Sequence, residues 1–441
     1  MSEPSRRYQI GRTASATFVA RLATISASLV SVRLIIHSAG PERFGLWTAI
    51  TASVALLNFA DLGIGNSLLN ALSRSRAHGD ATESARLISS ATYAFVAIAT
   101  CLTALLVALT IGVDWSAAFR VNGTVAAGDA DPTFLIVGMA LVVALPLTVS
   151  SSLQLAYQEG YRAQIWVIVG QLGAIAFLAA AVRLHAPLPV LAACVLFIPL
   201  LAQATNAVRV FGSNHPELMP RISSVDATAT RMLLATGLLF LFLQLSWTLA
   251  FASDNLIIDR ILGPTAVAGY AVPYQGFSAV ATLAILPLGA LWPAYADAAA
   301  RQDFRWLRDT VRRTIAFMAL VGCALAGLSL VIARPLLHVW IGHGTHYSNA
   351  LLWGFALWLP VYCTGSAVAM YLNAMGVVRF QVATVSIMVV ANLGLSIGLV
   401  RAWGPAGAIY ASVISYTVLV GIPCTWYLPG HLRRLSTAVP T

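Results

Sequence analysis

The sequence predicts an all-α membrane protein with about twelve transmembrane helices. Hydrophobic residues make up 59% of the 441 positions and charged residues only 10%, which is more apolar surface than a soluble chain can bury. The apolar residues fall in continuous runs close to the roughly 20 residues that a helix needs to cross a bilayer. Because these runs do not alternate with polar residues, they favour helices over a membrane β-barrel.

The apolar runs divide the chain into twelve predicted spans, and an even number of spans places both termini on one side of the membrane. Each span begins and ends where polar or charged residues interrupt the apolar run. The predicted spans are 14–37, 44–73, 86–112, 133–157, 164–184, 188–210, 231–258, 265–294, 312–333, 349–372, 380–401 and 405–428.

The arginines indicate which side holds the termini. All 26 basic residues are arginine: 18 lie in the connections on the side of the termini, six on the opposite side, and Arg21 and Arg33 inside the first span. Cytoplasmic connections carry the excess of positive charge, so both termini are predicted to be cytoplasmic. The formal net charge of +10 then reflects topology and contact with anionic membrane lipids, and we expect no nucleic-acid partner.

The absence of lysine excludes two kinds of chemistry. A phosphate-binding loop of the GxxxxGK[ST] type requires lysine, so the chain is not itself a P-loop ATPase. Schiff-base catalysis is excluded for the same reason. The five cysteines lack CxxC spacing, and we expect neither a metal site nor a cofactor. Directional transport would have to use an ion gradient, the membrane potential, substrate supply or a separate subunit.

Two segments of the chain share a spaced motif. The dipeptide Gly-Pro opens the second predicted span at residues 40–41 and the eighth at 263–264. An aspartate follows each glycine after forty residues, at Asp80 and Asp303. The spacing predicts that the two segments are copies of one structural unit.

A second pair of similar segments, 160–164 and 376–381, supports an internal repeat. The repeat predicts a six-helix lobe at 1–212, a cytoplasmic connecting loop at 213–230 and a second six-helix lobe at 231–441. Because six is even, the lobes are expected to share one orientation and to be related by an axis along the membrane normal. Two such lobes can rock about a central cavity to give alternating access.

Several stretches resemble O-antigen-type polysaccharide flippases, which belong to the multidrug, oligosaccharidyl-lipid and polysaccharide exporter superfamily. The Asp-Leu-Gly-Ile-Gly-Asn block is the most specific of them, and together they extend over nearly the whole chain. The resembling stretches are Gly40 to Trp47, Asp61 to Asn66, Leu262 to Tyr270, Leu291 to Asp297, Leu372 to Gly376 and Gly404 to Gly407.

The resemblance implies a transporter and not an enzyme. Family members flip polyprenyl-pyrophosphate-linked oligosaccharide from the cytoplasmic to the outer leaflet of the bacterial inner membrane, for O-antigen, lipopolysaccharide, capsule or exopolysaccharide biosynthesis. A polysaccharide polymerase and glycosyltransferases are the protein partners expected beside the lipid-linked substrate. Two alternatives stay open: a multidrug/cation antiporter of the same superfamily, and a membrane-embedded polymerase or ligase. An enzyme would usually need a catalytic domain outside the membrane, and the largest predicted outer loop, 113–132, is short.

A polar stripe on the first span is the candidate binding surface for the pyrophosphate. Thr17, Arg21, Thr24, Ser28 and Ser31 recur at helical spacing, and polar residues on a membrane helix are expected to face a cavity or other helices. The guanidinium of Arg21 presents a planar fork of donors suited to phosphate. The competing interpretation is that Arg21 extends to the cytoplasmic headgroups.

Intramembrane acids are the candidates for ion coupling. Asp61 in the second span and Asp254 in the seventh lie deep enough to exchange a proton or sodium ion, and buried charges in membranes are usually functional. Asn58 lies near Asp61 on the same predicted face and is assigned to substrate binding. Tyr274 is assigned there as well, because its ring can stack on a sugar. The alternatives are that Asp61 stabilises a local helix break and that Tyr274 only packs between helices.

Overall fold

The computed structural model describes residues 3–54, 59–118, 124–341 and 348–437, and every regular element among them is a helix. Eleven helices in this part of the chain are long and apolar enough to cross a membrane. The predicted class, a polytopic all-α membrane protein, is confirmed. The chain forms two compact units, Met1–Leu238 and Leu239–Thr441, while the predicted lobe boundaries and the symmetry between lobes stay predictions.

The first unit contains seven helices and the start of an eighth, up to Leu238. Their buried apolar core includes Ile50, Phe134, Leu178 and Leu191. After the seventh helix the chain makes a π-helical turn at Val210–Asn214 and two short 3-10 turns. The helices are α1 (Glu3–Val54), α2 (Ile64–His78), α3 (Ala81–Gly112), the short α4 (Trp115–Ala118), α5 (Thr124–Ala156), α6 (Gly160–Arg183) and α7 (Leu188–Arg209).

The second unit contains most of α8 and all the helices that follow it. A 3-10 segment, Leu286–Ala290, separates α9 from α10, and a π-helical turn, Thr417–Gly421, separates α14 from α15. The helices are α8 (Ala227–Leu262), α9 (Pro264–Ile285), α10 (Leu291–Ala300), α11 (Phe304–Ile341), α12 (Asn349–Ala374), α13 (Val378–Trp403), α14 (Ala406–Tyr416) and α15 (Ile422–Thr437).

The two Gly-Pro dipeptides have different structures. The predicted boundary at 40–41 is wrong, because α1 continues through both residues to Val54. At 263–264 the boundary is correct: Gly263 has a φ of 85° and separates α8 from α9. Membrane helices tolerate proline when neighbouring groups satisfy the freed carbonyl, so the dipeptide alone does not decide where a helix ends.

Both spans that were predicted to follow the Gly-Pro dipeptides are interrupted. The span predicted at 44–73 contains a turn at 59–63, where Leu62 and Gly63 have φ values of 47° and 69°. The span predicted at 265–294 contains the 3-10 segment Leu286–Ala290. In the first unit, Gly237 of α8 lies so close to the turn that an added Cβ would be 2.7 Å from the Leu62 carbonyl oxygen.

The repeated aspartates have the same local role. Asp80 precedes α3 and Asp303 precedes α11, and each side chain accepts a hydrogen bond from the backbone N–H three residues later, at 2.8 and 3.3 Å. Each also follows a residue in the left-handed region, Gly79 at φ 72° and Gln302 at φ 60°. The shared spacing therefore reflects a helix end followed by an N-cap, in which a carboxylate satisfies a free N–H group.

The predicted outer loop 113–132 is shorter than expected. Helix α5 begins at Thr124, so Asp129 and Asp131 lie in a helix and not in a loop. The Asp129 carboxylate forms an ion pair with Arg43 of α1, with Nε and Oδ2 3.0 Å apart. The Asp131 carboxylate accepts a hydrogen bond from the backbone N–H of Trp115 at 3.3 Å.

Candidate functional site

A cavity of about 660 Å³ lies among helices α8, α9, α12 and α14 of the second unit. Its size is within the range of roughly 300–1,000 Å³ that is usual for small-molecule sites. Helix α12 contributes the longest stretch of its wall, between Trp358 and Asn373. The lining residues are Thr248, Asn255, Tyr274, Ser278, Ala281, Thr282, Ile285, Trp358, Tyr362, Gly365, Ser366, Ala369, Met370, Asn373 and Tyr416.

Aromatic rings form one part of the wall. Trp358 and Tyr362 lie one turn apart on α12, with ring centroids 5.8 Å apart, and Trp358 meets Tyr416 of α14 edge to face at 5.6 Å. Tyr274 enters from α9. Gly365 allows the Tyr416 ring to approach α12, because an added Cβ would overlap the phenol. Rings held in this way present apolar faces and edges to a ligand.

Amides and hydroxyls form the rest of the polar lining. The side-chain oxygen of Asn255 is buried and accepts no hydrogen bond from the residues that the structure describes. The side-chain oxygen of Asn373 accepts a hydrogen bond from the Gln381 amide at 2.8 Å, which fixes the orientation of the Asn373 amide. None of the lining residues is an aspartate, glutamate, arginine or histidine. The described wall can therefore bind hydroxyl groups and apolar ring faces, and it offers no charge.

A buried carboxylate is adjacent in sequence to one of the lining residues. Asp254 precedes Asn255 in α8 and is completely buried. Its two oxygens accept hydrogen bonds from the Tyr270 hydroxyl at 3.0 Å and from the Ser396 hydroxyl at 3.2 Å. Among the described residues no arginine or histidine forms an ion pair with Asp254. Asp254 is therefore buried within the second unit, while its depth in the membrane and its coupling role stay predictions.

The three aromatic residues of α9 have different environments. Tyr270 and Phe277 are buried and pack on Phe355 of α12, with ring centroids 5.4 and 5.2 Å apart. Tyr274 lines the cavity and stacks on Tyr270 at 6.1 Å. Tyr270 therefore links the cavity wall to Asp254, because its ring contacts Tyr274 and its hydroxyl contacts the carboxylate.

The predicted stripe of the first span is not one uniform surface. Arg21 and Ser28 are exposed, whereas Ser31 is buried. The hydroxyls of Thr17 and Thr24 donate to backbone carbonyls of their own helix, at 2.8 and 2.9 Å, as hydroxyls in membrane helices often do. The stripe thus leaves Arg21 and Ser28 available for a ligand, and binding there stays a prediction. Asn58 lies outside the described residues.

Asp61 has the structural role that was considered as an alternative. It lies in the turn at 59–63, and its carboxylate accepts a hydrogen bond from the Gly63 backbone N–H at 3.0 Å. This bond stabilises the left-handed conformation of the turn before α2 begins. A role for Asp61 in ion coupling is compatible with this contact and stays a prediction.

One polar cluster in the first unit was not predicted from the sequence. It joins the turn between α5 and α6 to the segment that follows α7. Glu159 contacts Arg162 at 2.9 Å and the His215 ring at 3.6 Å, and His215 also lies 3.4 Å from Glu217. The Glu159 carboxylate raises the pKa of His215, and the contact with His215 lowers the pKa of Glu159. The cluster holds the segment that follows α7 against the turn between α5 and α6.

Comparison with known families gives two matches. The family described as "Polysaccharide biosynthesis protein" matches residues 10–299, which is more than half of the chain. The family described as "MatE" matches residues 240–397. None of the curated proteins matches the sequence.

Solved structures share the fold over nearly the entire chain. One is described as an outward-facing conformation of a multidrug resistance MATE family transporter of the MOP superfamily, with a TM-score of 0.81, 14% identity, and coverage of 98% of this chain and 97% of that one. A MATE protein in the bent conformation has a TM-score of 0.82 with the same identity and coverage. A MOP superfamily transporter from Pyrococcus furiosus, whose binding pocket is described as having reverse polarity, has a TM-score of 0.80, 14% identity and coverage of 98% and 96%.

Proposed function

The chain belongs to the polysaccharide biosynthesis protein family within the MOP superfamily of transporters, and from this premise we propose that it flips polyprenyl-pyrophosphate-linked oligosaccharide. The lipid-linked glycan would move from the cytoplasmic to the outer leaflet of the bacterial inner membrane by alternating access. The product would enter the synthesis of a surface polysaccharide such as O-antigen, capsule or exopolysaccharide.

One observation carries the proposal: the cavity of the second unit combines aromatic rings with amides and hydroxyls. A glycan that crosses hydrocarbon must exchange its water for other hydrogen-bonding groups, because unsatisfied hydroxyls are costly to bury. Its ring faces are apolar and pack well on aromatic side chains. A cavity with both kinds of group meets these needs.

Arg21 is the proposed contact for the pyrophosphate. Its side chain is exposed on α1, and a guanidinium can bind phosphate oxygens in a bidentate manner. We expect Arg21→Ala to preserve membrane insertion but abolish export, and Arg21→Lys to restore part of it, because lysine keeps the charge and loses the fork. Arg33→Ala is the matched control, since Arg33 is exposed on the same helix. Wild-type export from Arg21→Ala would instead indicate contact with headgroups.

Asp254, with Asp61 as the second candidate, is proposed to couple transport to an ion gradient. Asp254 is buried, and the contact between Tyr270 and Tyr274 connects it to the cavity. An ion that binds one access state more tightly shifts the population toward that state, which is sufficient for coupling. We expect Asp254→Asn to slow transport and to weaken its dependence on an imposed proton or sodium gradient. Unchanged gradient dependence in the variant that also carries Asp61→Asn would place the coupling site elsewhere.

The proposed topology places both termini in the cytoplasm, on the evidence of the arginine distribution. A reporter that is active only in the cytoplasm should be active when it is fused after Arg434 or within 296–311. The same reporter should be inactive when it is fused near Asn122, which is predicted to lie on the outer side of the membrane. A polysaccharide polymerase and glycosyltransferases remain the proposed protein partners.

Deletion of the gene from its source cell tests the function. We expect surface polysaccharide to disappear while the complete lipid-linked glycan accumulates in the inner membrane. Failure to make or extend the glycan would instead indicate a glycosyltransferase or polymerase. The match to the MatE family raises drug export as the alternative; it predicts normal polysaccharide and increased sensitivity to cationic drugs.

A further inference from the structure

We propose that the cavity of the second unit selects uncharged sugars and disfavours acidic ones such as hexuronic acids. This inference rests on the proposed function and specifies the part of the substrate that the cavity would accept. It depends on the charges around the cavity, on the hydrogen-bonding groups of its wall and on the placement of its aromatic rings.

The charges around the cavity disfavour an anion. None of the lining residues is an arginine or histidine that could pair with a carboxylate. The residue that precedes the lining residue Asn255 in α8 is Asp254, whose buried side chain is itself a carboxylate. Burial of an acidic sugar here would remove water from its carboxylate without supplying a cation, which is strongly unfavourable.

The polar groups of the wall favour hydroxyls over a prenyl chain. The buried side-chain oxygen of Asn255 accepts no hydrogen bond from the described residues, so a sugar hydroxyl could donate to it. Ser278 and Thr282 project from α9 and Ser366 from α12 into the same cavity. A prenyl chain would cover these polar groups without bonding to them, which would cost free energy.

The aromatic residues of α12 and α14 lie toward one end of the cavity. Trp358 and Asn373 are separated by fifteen residues of α12, which corresponds to roughly 22 Å along a helix. Trp358, Tyr362 and Tyr416 are grouped at one end of this stretch, where Trp358 and Tyr416 meet edge to face. A neutral pyranose can place its apolar face on such rings while its hydroxyls reach the amides.

The test compares two lipid-linked glycans that differ only in one sugar, a neutral hexose or the corresponding hexuronic acid. The purified full-length chain is reconstituted in liposomes, and each labelled glycan is followed by its accessibility to periodate, which does not cross the membrane. We expect the neutral glycan to move at least about tenfold faster, because an unpaired buried charge carries a large penalty.

Variants of the wall test whether the cavity causes this preference. Ser366→Arg places a cation in the cavity and should raise the rate for the acidic glycan while lowering the rate for the neutral one. Thr282→Arg is a second variant with the same purpose on another helix. Trp358→Ala should slow the neutral glycan roughly three- to tenfold and Trp358→Phe much less, because phenylalanine retains an aromatic face. The matched control is Trp353→Ala on the same helix, since Trp353 is exposed outside the cavity.

The outcomes separate this inference from the proposed function. A neutral preference that either arginine variant reduces supports the inference. Equal rates for the two glycans, or a preference that neither arginine variant changes, overturn the inference and leave the flippase function intact. If neither glycan moves in the presence of the wild-type chain under any gradient, both the proposed function and the inference are wrong.

Discussion

The close approach of α11 to the cavity helix α12 gives the sharpest structural prediction. Gly322 of α11 faces the backbone at Pro360, and an added Cβ would lie 2.5 Å from the Pro360 Cα and 3.1 Å from the Leu359 carbonyl oxygen. Ordinary contacts of this kind are near 3.5–4.0 Å. Gly322→Ala therefore requires α12 to move by about 1 Å, at the turn that carries the cavity residues Trp358 and Tyr362.

The expected cost follows from two opposing contributions. Overpacking of a buried contact usually costs about 1–3 kcal/mol, and alanine recovers up to about 1 kcal/mol of helix preference over glycine. Gly322→Ala should therefore destabilise the protein by up to about 2 kcal/mol and slow glycan transport, because the aromatic wall shifts. Gly327→Ala on the same helix meets no atom within 4 Å and should leave stability unchanged or raise it slightly.

Thermal unfolding of the purified protein in detergent, followed by tryptophan fluorescence, is the assay. We expect Gly322→Ala to unfold at a lower temperature than the wild type and Gly327→Ala at the same or a higher temperature. The reasoning is refuted if Gly322→Ala is as stable as Gly327→Ala, since α11 and α12 would then not approach as closely as described.

Three further predictions concern polar contacts between side chains. Tyr270→Phe removes one of the two hydroxyls bound to Asp254; we expect about 1–3 kcal/mol of destabilisation and weaker gradient dependence in liposomes, and an unchanged response would exclude Tyr270 from coupling. The acidic neighbours of His215 raise its pKa above the ordinary value of 6.5. Protonation of His215 therefore stabilises the fold fully at a pH below 6.5, and this contribution is lost as the pH rises through the raised pKa. His215→Gln should therefore lower the unfolding temperature more at about pH 6 than at about pH 9, and equal effects at both would contradict the pairing. Gln154 and Asn206 exchange two hydrogen bonds at 3.1 and 2.8 Å, so Asn206→Leu should cost about 1–3 kcal/mol and the added change Gln154→Leu should recover part of it; a double variant that is less stable than the single one would contradict this.

Sequence patterns predicted the fold class and most helix ends because the bilayer imposes a simple length rule. Span 188–210 corresponds to α7, Leu188–Arg209, and span 349–372 to α12, Asn349–Ala374. The internal breaks were harder to predict. The same Gly-Pro dipeptide continues a helix at 40–41 and ends one at Gly263, so its structure depends on contacts that local sequence does not encode.

The candidate site was only partly predictable. Tyr274 was assigned to substrate binding and does line the cavity. Trp358, Tyr362 and Ser366 were missed, although their spacing of four residues on one helix is a signal that could have found them. Tyr416 of α14 joins the site because α14 packs against α12, which is distant from it in sequence. The apolar sequence of α14 does not indicate which helix it packs against.

The local sequence around Asp61 explains the hydrogen bond that its carboxylate accepts. Asp61 precedes two glycines, and its carboxylate binds the Gly63 N–H within the turn. An aspartate beside glycine in a membrane span is thus compatible with a stabilised break as well as with an ion site.

The most direct test of the central claim is lipid-linked glycan translocation by the purified chain alone. Liposomes formed with labelled polyprenyl-pyrophosphate glycan carry it in both leaflets, so only about half should be accessible to periodate without a transporter. We predict that the wild-type chain makes nearly all of it accessible, whereas Trp358→Ala proteoliposomes respond much more slowly. If the accessible fraction stays near one half with wild-type protein under proton, sodium and no imposed gradients, the chain does not flip this lipid and the account is wrong.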